Sequence, residues 1–380
     1  MSLTFIDFFA GIGGGRRGLE MAGHKCVGYC EIDKFASASY RMMHTATEEQ
    51  RNYIMSLSSK RERKQEILKE EYLNGEYFAT DITKIKADEL PRTDLWIFGA
   101  PCQDFSIAGK RKGLNGDRSS LIREIFRLLR ETKEEDRPQY IIYENVKGMF
   151  SSNRGFDFLT ILTEMDEIGY DAEWQLINSS NYVPQNRERV YIIGHLRIRG
   201  RREIFPIPSG NGKNTELQGQ AVNTLTTRTG GAASTGAYIV ENKQHAQGKV
   251  RQIGTLYPES KRNKNQGRIY DIDGIAPALN CMEGGNRQPF IVDSNKVNGI
   301  NLYDENGKER PQQDRIYSPN DRENKRQIRK LTPRECFRLQ GWGDEYFDRA
   351  AAVNSDTQLY KQAGNGMTVN VVYEIGKRME

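Results

Sequence analysis

Through the first half of the chain, short apolar runs alternate with stretches of helical spacing. That order predicts a doubly wound α/β fold, a parallel sheet with helices on both faces. Thr4–Phe9 reads as a buried strand, followed by a glycine-rich turn over 10–15 and a helix ending near Gly23. Cys26–Cys30 is a second strand, closed by Glu31 and Asp33. Asp94–Phe98, Gln139–Tyr143, Asp171–Ser179 and Arg189–His195 continue the strands, with helices over Leu121–Leu129 and Phe156–Ile168. From Thr45 to Phe78 runs a highly charged segment in which Ile54, Leu57, Ile67, Leu68 and Tyr72 recur at helical spacing, the pattern of a solvated surface helix pair.

The texture changes after His195. Residues 200–325 are rich in Gly, Asn, Gln, Arg and Lys and hold few long periodic segments. Periodicity returns at the C-terminus, where Val371, Ile375 and Met379 share one helix face behind Asn365. The expected organisation is one domain over 1–195 plus 355–380, closed by both ends of the chain, and a smaller loop-rich domain over 196–354.

At roughly 100–200 residues per domain, a chain of 380 residues accommodates two or three domains. No apolar run approaches the roughly 20 residues that span a bilayer, and Asp7 interrupts the first apolar stretch, which argues against a signal peptide. The five cysteines and four histidines show no CxxC pair and no metal-ligand spacing, so a metal site or disulfide framework is not expected and a reducing cytoplasm fits. Lys and Arg number 56 against 51 Asp and Glu, a net charge of +5, too mild to name a partner by itself.

Candidate chemistry enters with Phe8-Phe9-Ala10-Gly11-Ile12-Gly13-Gly14-Gly15, directly after a strand. Such a turn lets backbone approach a nucleoside cofactor and aims a helix at it. Gly13, Gly15 and Gly18 even satisfy a literal G-x-G-x-x-G, with Asp33 twenty residues beyond Gly13, a pattern also seen in nicotinamide enzymes. Glu31 or Asp33 stands where an acid can take ribose hydroxyls, and Asp81, before Ile82, where one can meet an adenine amino group; a lone Asp at a strand end is also a common helix N-cap. Gly99-Ala100-Pro101-Cys102-Gln103 lies at the carboxyl end of the Asp94–Phe98 strand, the edge where ligands bind in open α/β sheets. Pro101 restricts the backbone that presents Cys102, and Lys110, Arg111 and Lys112 nearby favour a thiolate. Glu144-Asn145-Val146, placed after the Gln139–Tyr143 strand, and Gln185-Asn186-Arg187-Glu188-Arg189, opening the next, bring a carboxyl and two guanidinium groups to the same rim. A thiolate, a carboxyl and a guanidinium on one rim suit covalent catalysis on a polar heterocycle.

Taken in order, the blocks Phe8–Gly14, Glu31, Asp81, Gly99–Ser106, Glu144–Val146, Gln185–Arg189, Arg329–Gly341 and Gln362–Met367 resemble the C5 cytosine DNA methyltransferases of bacterial or phage type. The resemblance spans nearly the full chain. It departs at Gly15, where the family often has an aromatic residue, at Ile32, where some members stack a Trp on adenine, and at Gly366-Met367, which replaces a commoner Ser-Val.

The resemblance implies S-adenosylmethionine as methyl donor, held by Phe9, Gly11, Gly13, Glu31, Ile32, Asp81, Ile82, Pro101, Asn365 and Met367. It implies Cys102 as nucleophile on cytosine C6, Glu144 as the acid at N3, Arg187 at the cytosine O2, and Arg189 orienting Glu144. Water is the default base for the C5 proton. The substrate would be duplex DNA with the target base flipped out of the stack. Residues 105–118, with Lys110, Arg111 and Lys112, would form a lid on the phosphates, and the region 200–325 the target-recognition domain.

Within that region, Thr224-Leu225, Gly230-Gly231 and Ile239-Val240 resemble Ala278-Leu279, Gly284-Gly285 and Ile291-Val292, two loops that could face bases. Thr224, Leu225 and Arg228 are candidate base contacts, and Arg262, with Lys261 and Lys264, a phosphate contact. A cytoplasmic monomer is expected, with a cognate restriction endonuclease as the partner in a restriction-modification or phage-protection system. Rival readings are a tRNA cytosine methyltransferase of the same fold, a nicotinamide oxidoreductase, and a non-catalytic DNA-binding module.

Overall fold

The structure is a computed structural model and describes residues 2–100, 121–200, 203–207 and 331–379, with the backbone of short strands at 223–225, 252–255, 268–270, 290–293 and 327–330. Its main sheet contains β1 (Thr4–Phe8), β2 (Lys25–Cys30), β3 (Tyr77–Ala79), β4 (Leu95–Phe98), β5 (Tyr140–Val146), β6 (Tyr170–Asn178), β7 (Glu188–Leu196) and β8 (Asn223–Leu225). They stand in the order β3-β2-β1-β4-β5-β7-β6-β8. The helices beside the sheet are α1 (Gly14–Met21), α2 (Lys34–Tyr40), α3 (Glu48–Ser56), α4 (Lys60–Ile67), α5 (Leu121–Glu131) and α6 (Phe156–Ile168).

Strands β1 to β5 pair in parallel. The residues of β1, β4 and β5 are buried on both faces, which is why these three read as continuous apolar runs. On one face Ile6, Phe8, Trp96, Phe98 and Ile141 meet α5 and α6. On the other, Phe5, Leu95, Ile97 and Ile142 meet Leu19 of α1 and Val371, Val372 and Ile375 near the C-terminus. The chain leaves β1 toward β2 and β3, then returns to β4 on the opposite side of β1. The crevice at the carboxyl ends of β1 and β4 is therefore the topological switch point, where α/β sheets bind ligands.

Four expectations change. First, Glu144-Asn145-Val146 lies inside β5 rather than after it, because β7 supplies ladder partners out to Val146. Second, β7 runs antiparallel to both β5 and β6; the 179–187 connection is too short for the helical crossover that parallel strands need. Third, Tyr77–Ala79 is an edge strand at the end of the charged segment. Fourth, α7 (Pro333–Leu339), α8 (Asp344–Ala351) and α9 (Asp356–Asn365) share one core with Ile12, Met43 and Val369, so 331–354 packs with the first domain rather than the second. The final helix α10 (Val369–Gly376) carries the predicted apolar face, Val371, Ile375 and, just beyond it, Met379, onto Phe5 and Leu19.

Strands β9 (Gln252–Thr255), β10 (Arg268–Tyr270), β11 (Phe290–Asp293) and β12 (Gln327–Lys330) form a separate four-stranded sheet in the order β12-β11-β10-β9. Thr224 and Leu225, expected at a base-reading loop, lie instead on the outer edge of the main sheet. Leu225 pairs with Ala172, Ala172 with Gly194 and Gly194 with Ile141, so Leu225 is level with a residue well below Glu144, toward the amino end of β5. Of the internal resemblance, Thr224-Leu225 lies on the large sheet and Ile291-Val292, which matches a different position of the repeat, on the small one. Ile239-Val240 and Ala278-Leu279 lie outside the described residues.

The charged segment forms α3 and α4, whose Ile54 and Ile67, with Tyr72, are buried against Ala38, Met42, Ala352 and Val353. Its return to the sheet is pinned by Glu76, which takes a bidentate ion pair from the buried Arg16 at 2.7 and 2.8 Å. Glu20 takes the Arg16 Nε at 2.7 Å. Glu76→Ala leaves the buried guanidinium with the Glu20 carboxylate alone and its two Nη groups without that of Glu76, so it should lower the unfolding free energy by about 1.5–3 kcal/mol. Urea denaturation monitored by tryptophan fluorescence checks this.

Candidate active site

The turn after β1 is set by its backbone. Phe9 has φ 52° and Gly11 φ 56°, the left-handed region that a bulky residue such as Phe9 rarely adopts. Gly13 N–H donates to Ala10 C=O at 2.8 Å and closes the turn, so that α1 begins at Gly14. Beneath it, a π-helical turn over Arg41–Thr45 brings the His44 Nε2 to 3.0 Å from the Ile12 carbonyl. Burial holds His44 well below its ordinary range, so the neutral ring donates to that carbonyl. From within the sheet, the buried Asp7 accepts the Arg16 N–H at 3.2 Å and caps α1; burial pushes its carboxyl up.

Glu31 ties the turn to β2. Its Oε2 accepts the Gly11 N–H at 2.7 Å and its Oε1 the Asp33 N–H at 2.7 Å. Burial raises its carboxyl above the ordinary range, and Asp33 adds to the shift; the two N–H donors oppose it. Ile32, beside it, is 71% exposed, a large apolar side chain bare at the rim.

Asp33 caps α2, accepting the Phe35 N–H at 2.8 Å, and pairs with Lys361 at 3.0 Å. The acid on which the nicotinamide pattern depends is thus engaged by its own helix and by α9. Asp81 accepts both the backbone N–H and the hydroxyl of Thr83, at 3.1 and 2.8 Å, which holds its carboxyl below the usual range. Ile82 is buried in the core against α5.

The candidate rim is built across β5 and β7. Glu144 pairs with Tyr191 and Val146 with Arg189, so Glu144 and Arg189 are diagonal neighbours on one face. The Arg189 Nε stands 3.0 Å from the Glu144 Oε1, with both side chains largely buried. Gly99, at the exit of β4, adjoins the same carboxyl. A Cβ there would lie 3.2 Å from the Glu144 Oε2 and 2.9 Å from the Met367 Cε, so a larger residue would push on both the carboxyl and the methionine tip. The chain from Gly99 leads within three residues to Cys102, which lies outside the described residues, as do Pro101, Lys110, Arg111, Lys112, Arg228 and Arg262.

Arg187 behaves differently from the expectation that it meets a base. It is buried, and its Nη1 and Nη2 donate to the carbonyls of Gly364 and Gly366 at 3.1 and 3.0 Å. The guanidinium that reaches Glu144 belongs to Arg189. Asn365, between those carbonyls, and Met367, against Gly99, stand on the same loop. The roles of Asp7, His44 and Lys361 carried no sequence motif, because each depends on a partner far along the chain.

The remaining thiols near the sheet are poor nucleophiles. Cys26, Cys30 and Cys336 are buried and free, and burial pushes each up to about 12.

A family model described as C-5 cytosine-specific DNA methylase matches residues 3–67 and 54–380. The chain belongs to that family. This methylase is 30% identical over 391 residues to the type II methyltransferase M.HhaI of Haemophilus parahaemolyticus, covering 99% of this chain and 95% of that protein. It is 28% identical over 459 residues to the orphan methyltransferase M.SPRI of Bacillus phage SPR, covering 99% and 97%. In fold the methylase is similar to the S. pombe Dnmt2 methyltransferase, with TM-score 0.59 at 18% identity and coverage of 98% and 97%. A putative DNA modification methyltransferase encoded within an E. coli prophage gives TM-score 0.55 at 17% identity, covering 100% of this chain and 98% of that one. The family and fold imply S-adenosylmethionine as the methyl donor and DNA as the substrate of this methylase. Among the described residues, no helix is long and apolar enough to cross a membrane.

Proposed function

We propose that this cytosine-5 methyltransferase works through Cys102, Glu144 and Arg189, acting as a cytoplasmic monomer on a flipped cytosine in duplex DNA. The observation that carries the reading is the Glu144–Arg189 pair at the carboxyl edge of the sheet, touching the Gly99 exit that leads to Cys102. The Cys102 thiolate adds to C6, and the ring electron pair moves toward N3, where Glu144 supplies the proton. Arg189 holds the Glu144 carboxyl in line, and Arg187 holds the loop that backs the pocket. When bound, S-adenosylmethionine supplies an electrophilic methyl for C5. Loss of the C5 proton to water then restores the C5–C6 double bond and expels the Cys102 thiolate, and N3 returns its proton to Glu144.

The residues present fit that donor. Space over the Gly11 Cα is open, with no atom within 4 Å of where a Cβ would stand, so a ligand can lie directly on the backbone. Glu31 offers a carboxylate at the ribose position and Ile32 an exposed apolar surface for the adenine. Met367 faces the same turn from the other side, since a Cβ on Gly14 would strike its carbonyl.

Methylation of a defined plasmid with S-adenosylmethionine, read by bisulfite sequencing, tests the activity and yields the recognition sequence. A tRNA arm run in parallel should show no transfer. A cognate endonuclease, if the enzyme serves a restriction-modification pair, must then cut that sequence only when it is unmodified.

Glu31 gives a pH prediction. Ribose hydroxyls donate to the ionised carboxylate, and the folded Glu31 protonates at a higher pH than an ordinary glutamate. Donor affinity should therefore be full above that raised pKa and fall as pH drops through it, while Glu31→Gln flattens the profile. A charged hydrogen bond is worth about 1.5–3 kcal/mol, so Glu31→Gln should also weaken binding about 10- to 100-fold at neutral pH. Isothermal titration with S-adenosylhomocysteine across pH checks both effects.

A further inference from the structure

The loop between α9 and α10 has no regular structure of its own to hold it, yet its carbonyls are closed by side chains from two distant elements. A helix leaves its last carbonyls without intrahelical partners. In α9 the Ala363 carbonyl accepts from the Gln340 Nε2 at 2.9 Å, and the Gly364 carbonyl accepts from Arg187. Gly366, just past the helix, also accepts from Arg187.

Gln340 belongs to the end of α7, and its amide orientation is fixed by that contact: the NH₂ faces Ala363, so the Oε1 faces Thr368. The Thr368 Oγ1 donates to this Oε1 at 2.9 Å. The Ser179 Oγ stands 2.9 Å from the Thr368 Oγ1. A hydroxyl has one proton, and that of Thr368 is committed to Gln340, so Ser179 is the donor in this link. The result is an ordered chain, Ser179 to Thr368 to Gln340 to the Ala363 carbonyl. All three side chains are at least 98% buried.

Thr368 occupies the N-cap position of α10, where a threonine hydroxyl ordinarily accepts a backbone N–H of the first helical turn. Here it makes no such cap. Its hydroxyl is turned away from its own helix, toward Ser179 of the β6–β7 turn that carries Arg187, and toward Gln340. Ser179 is itself fixed by donating its N–H to the Arg187 carbonyl at 2.9 Å. The two clamps on the loop, Arg187 and the hydroxyl chain, therefore share one anchor.

We infer that Thr368, bridging Ser179 and Gln340, is a positioning residue that sets the Gly364–Met367 loop against the Gly14 turn and thereby fixes the methyl-donor site. The inference rests on the reading that Asn365 and Met367 line that site. Thr368→Val keeps the shape but leaves the Ser179 hydroxyl without an acceptor and the Gln340 Oε1 without a donor. Its Kd for S-adenosylhomocysteine and its KM for S-adenosylmethionine should both rise about tenfold, as expected for a buried hydrogen-bond pair left unmade. The kcat at saturating donor and the Kd for duplex DNA should change far less. Thr368→Ser restores the hydroxyl and should return donor binding to within about threefold of the original.

Purified full-length variants are assayed by titration calorimetry, steady-state methylation and thermal melting. If Thr368→Val melts at a lower temperature but binds the donor normally, the chain serves stability alone and the inference is overturned. If Thr368→Val does not fold, Ser179→Ala, which deletes only the terminal donor, decides in its place; unchanged donor affinity in it overturns the inference equally. Asn365→Ala separates the inference from the reading beneath it. Unchanged donor affinity in Asn365→Ala removes that reading, whereas a loss there beside normal binding in Thr368→Val overturns only the positioning role.

Discussion

Cys102→Ala should form no covalent adduct with duplex DNA in which the target cytosine carries fluorine at C5. In the original enzyme the thiolate adds to C6 and the methyl is transferred, but fluorine cannot leave as the proton does, so the adduct persists and survives denaturation. Electrophoresis in detergent would show it as a shifted band that needs both DNA and S-adenosylmethionine. Cys26→Ala, Cys30→Ala and Cys336→Ala should still give the band, because those thiols are buried and pushed up to about 12. Turnover of Cys102→Ala on ordinary DNA should fall below detection, since the described thiols, including Cys30 at the end of β2, are buried and pushed up to about 12. A denaturation-stable adduct in Cys102→Ala would sink the assignment.

Glu144→Gln should lose roughly 10²–10⁴ in kcat, the usual contribution of a positioned general acid. The amide keeps the shape beside Arg189, whose Nε stands 3.0 Å from the carboxyl oxygen. What it cannot do is hand a proton to N3 when Cys102 adds to the ring. Binding of S-adenosylhomocysteine should be close to normal, because Glu144 approaches Gly99 from the β5 side and the Gly11 turn is held by Glu31. Arg189→Ala should share part of the loss, since the carboxyl would keep its chemistry but lose its orientation. Single-turnover kinetics with saturating donor separates these effects from binding. A Glu144→Gln enzyme that turns over normally once donor is bound would show that Glu144 is not the acid.

Much of the site was legible because its residues lie in local blocks. A strand, a glycine turn and a helix start can be read from Phe5 to Leu19, and their chemistry follows from backbone that must come close to a ligand. Gly99 and Glu144–Val146 are likewise parts of short segments at strand ends, which the sheet delivers to one edge. The error at Glu144 was one of extent. β5 continues through Val146 only because β7 pairs with it, and a strand's length is set by its neighbours as much as by its own residues. In the Gln-x-Arg-x-Arg block the resemblance assigns Arg189 to Glu144 and Arg187 to a base. The register of β7 against β5 sends one to a carboxylate, and the α9–α10 loop takes the other.

The amino-acid sequence by itself determined the family, the α/β order of the first half, and the residue types of the reacting rim, because these are written in local periodicity and in contiguous motifs. Tertiary structure decided that Arg187 turns to the Gly364 and Gly366 carbonyls, that residues 331–354 pack on Ile12 and Met43, and that Thr224 and Leu225 edge the main sheet. It also decided that Ser179, Gln340 and Thr368 form one buried chain. Each of these depends on partners that stand far apart along the chain, and a buried polar group takes whichever donor or acceptor the packed fold brings within reach.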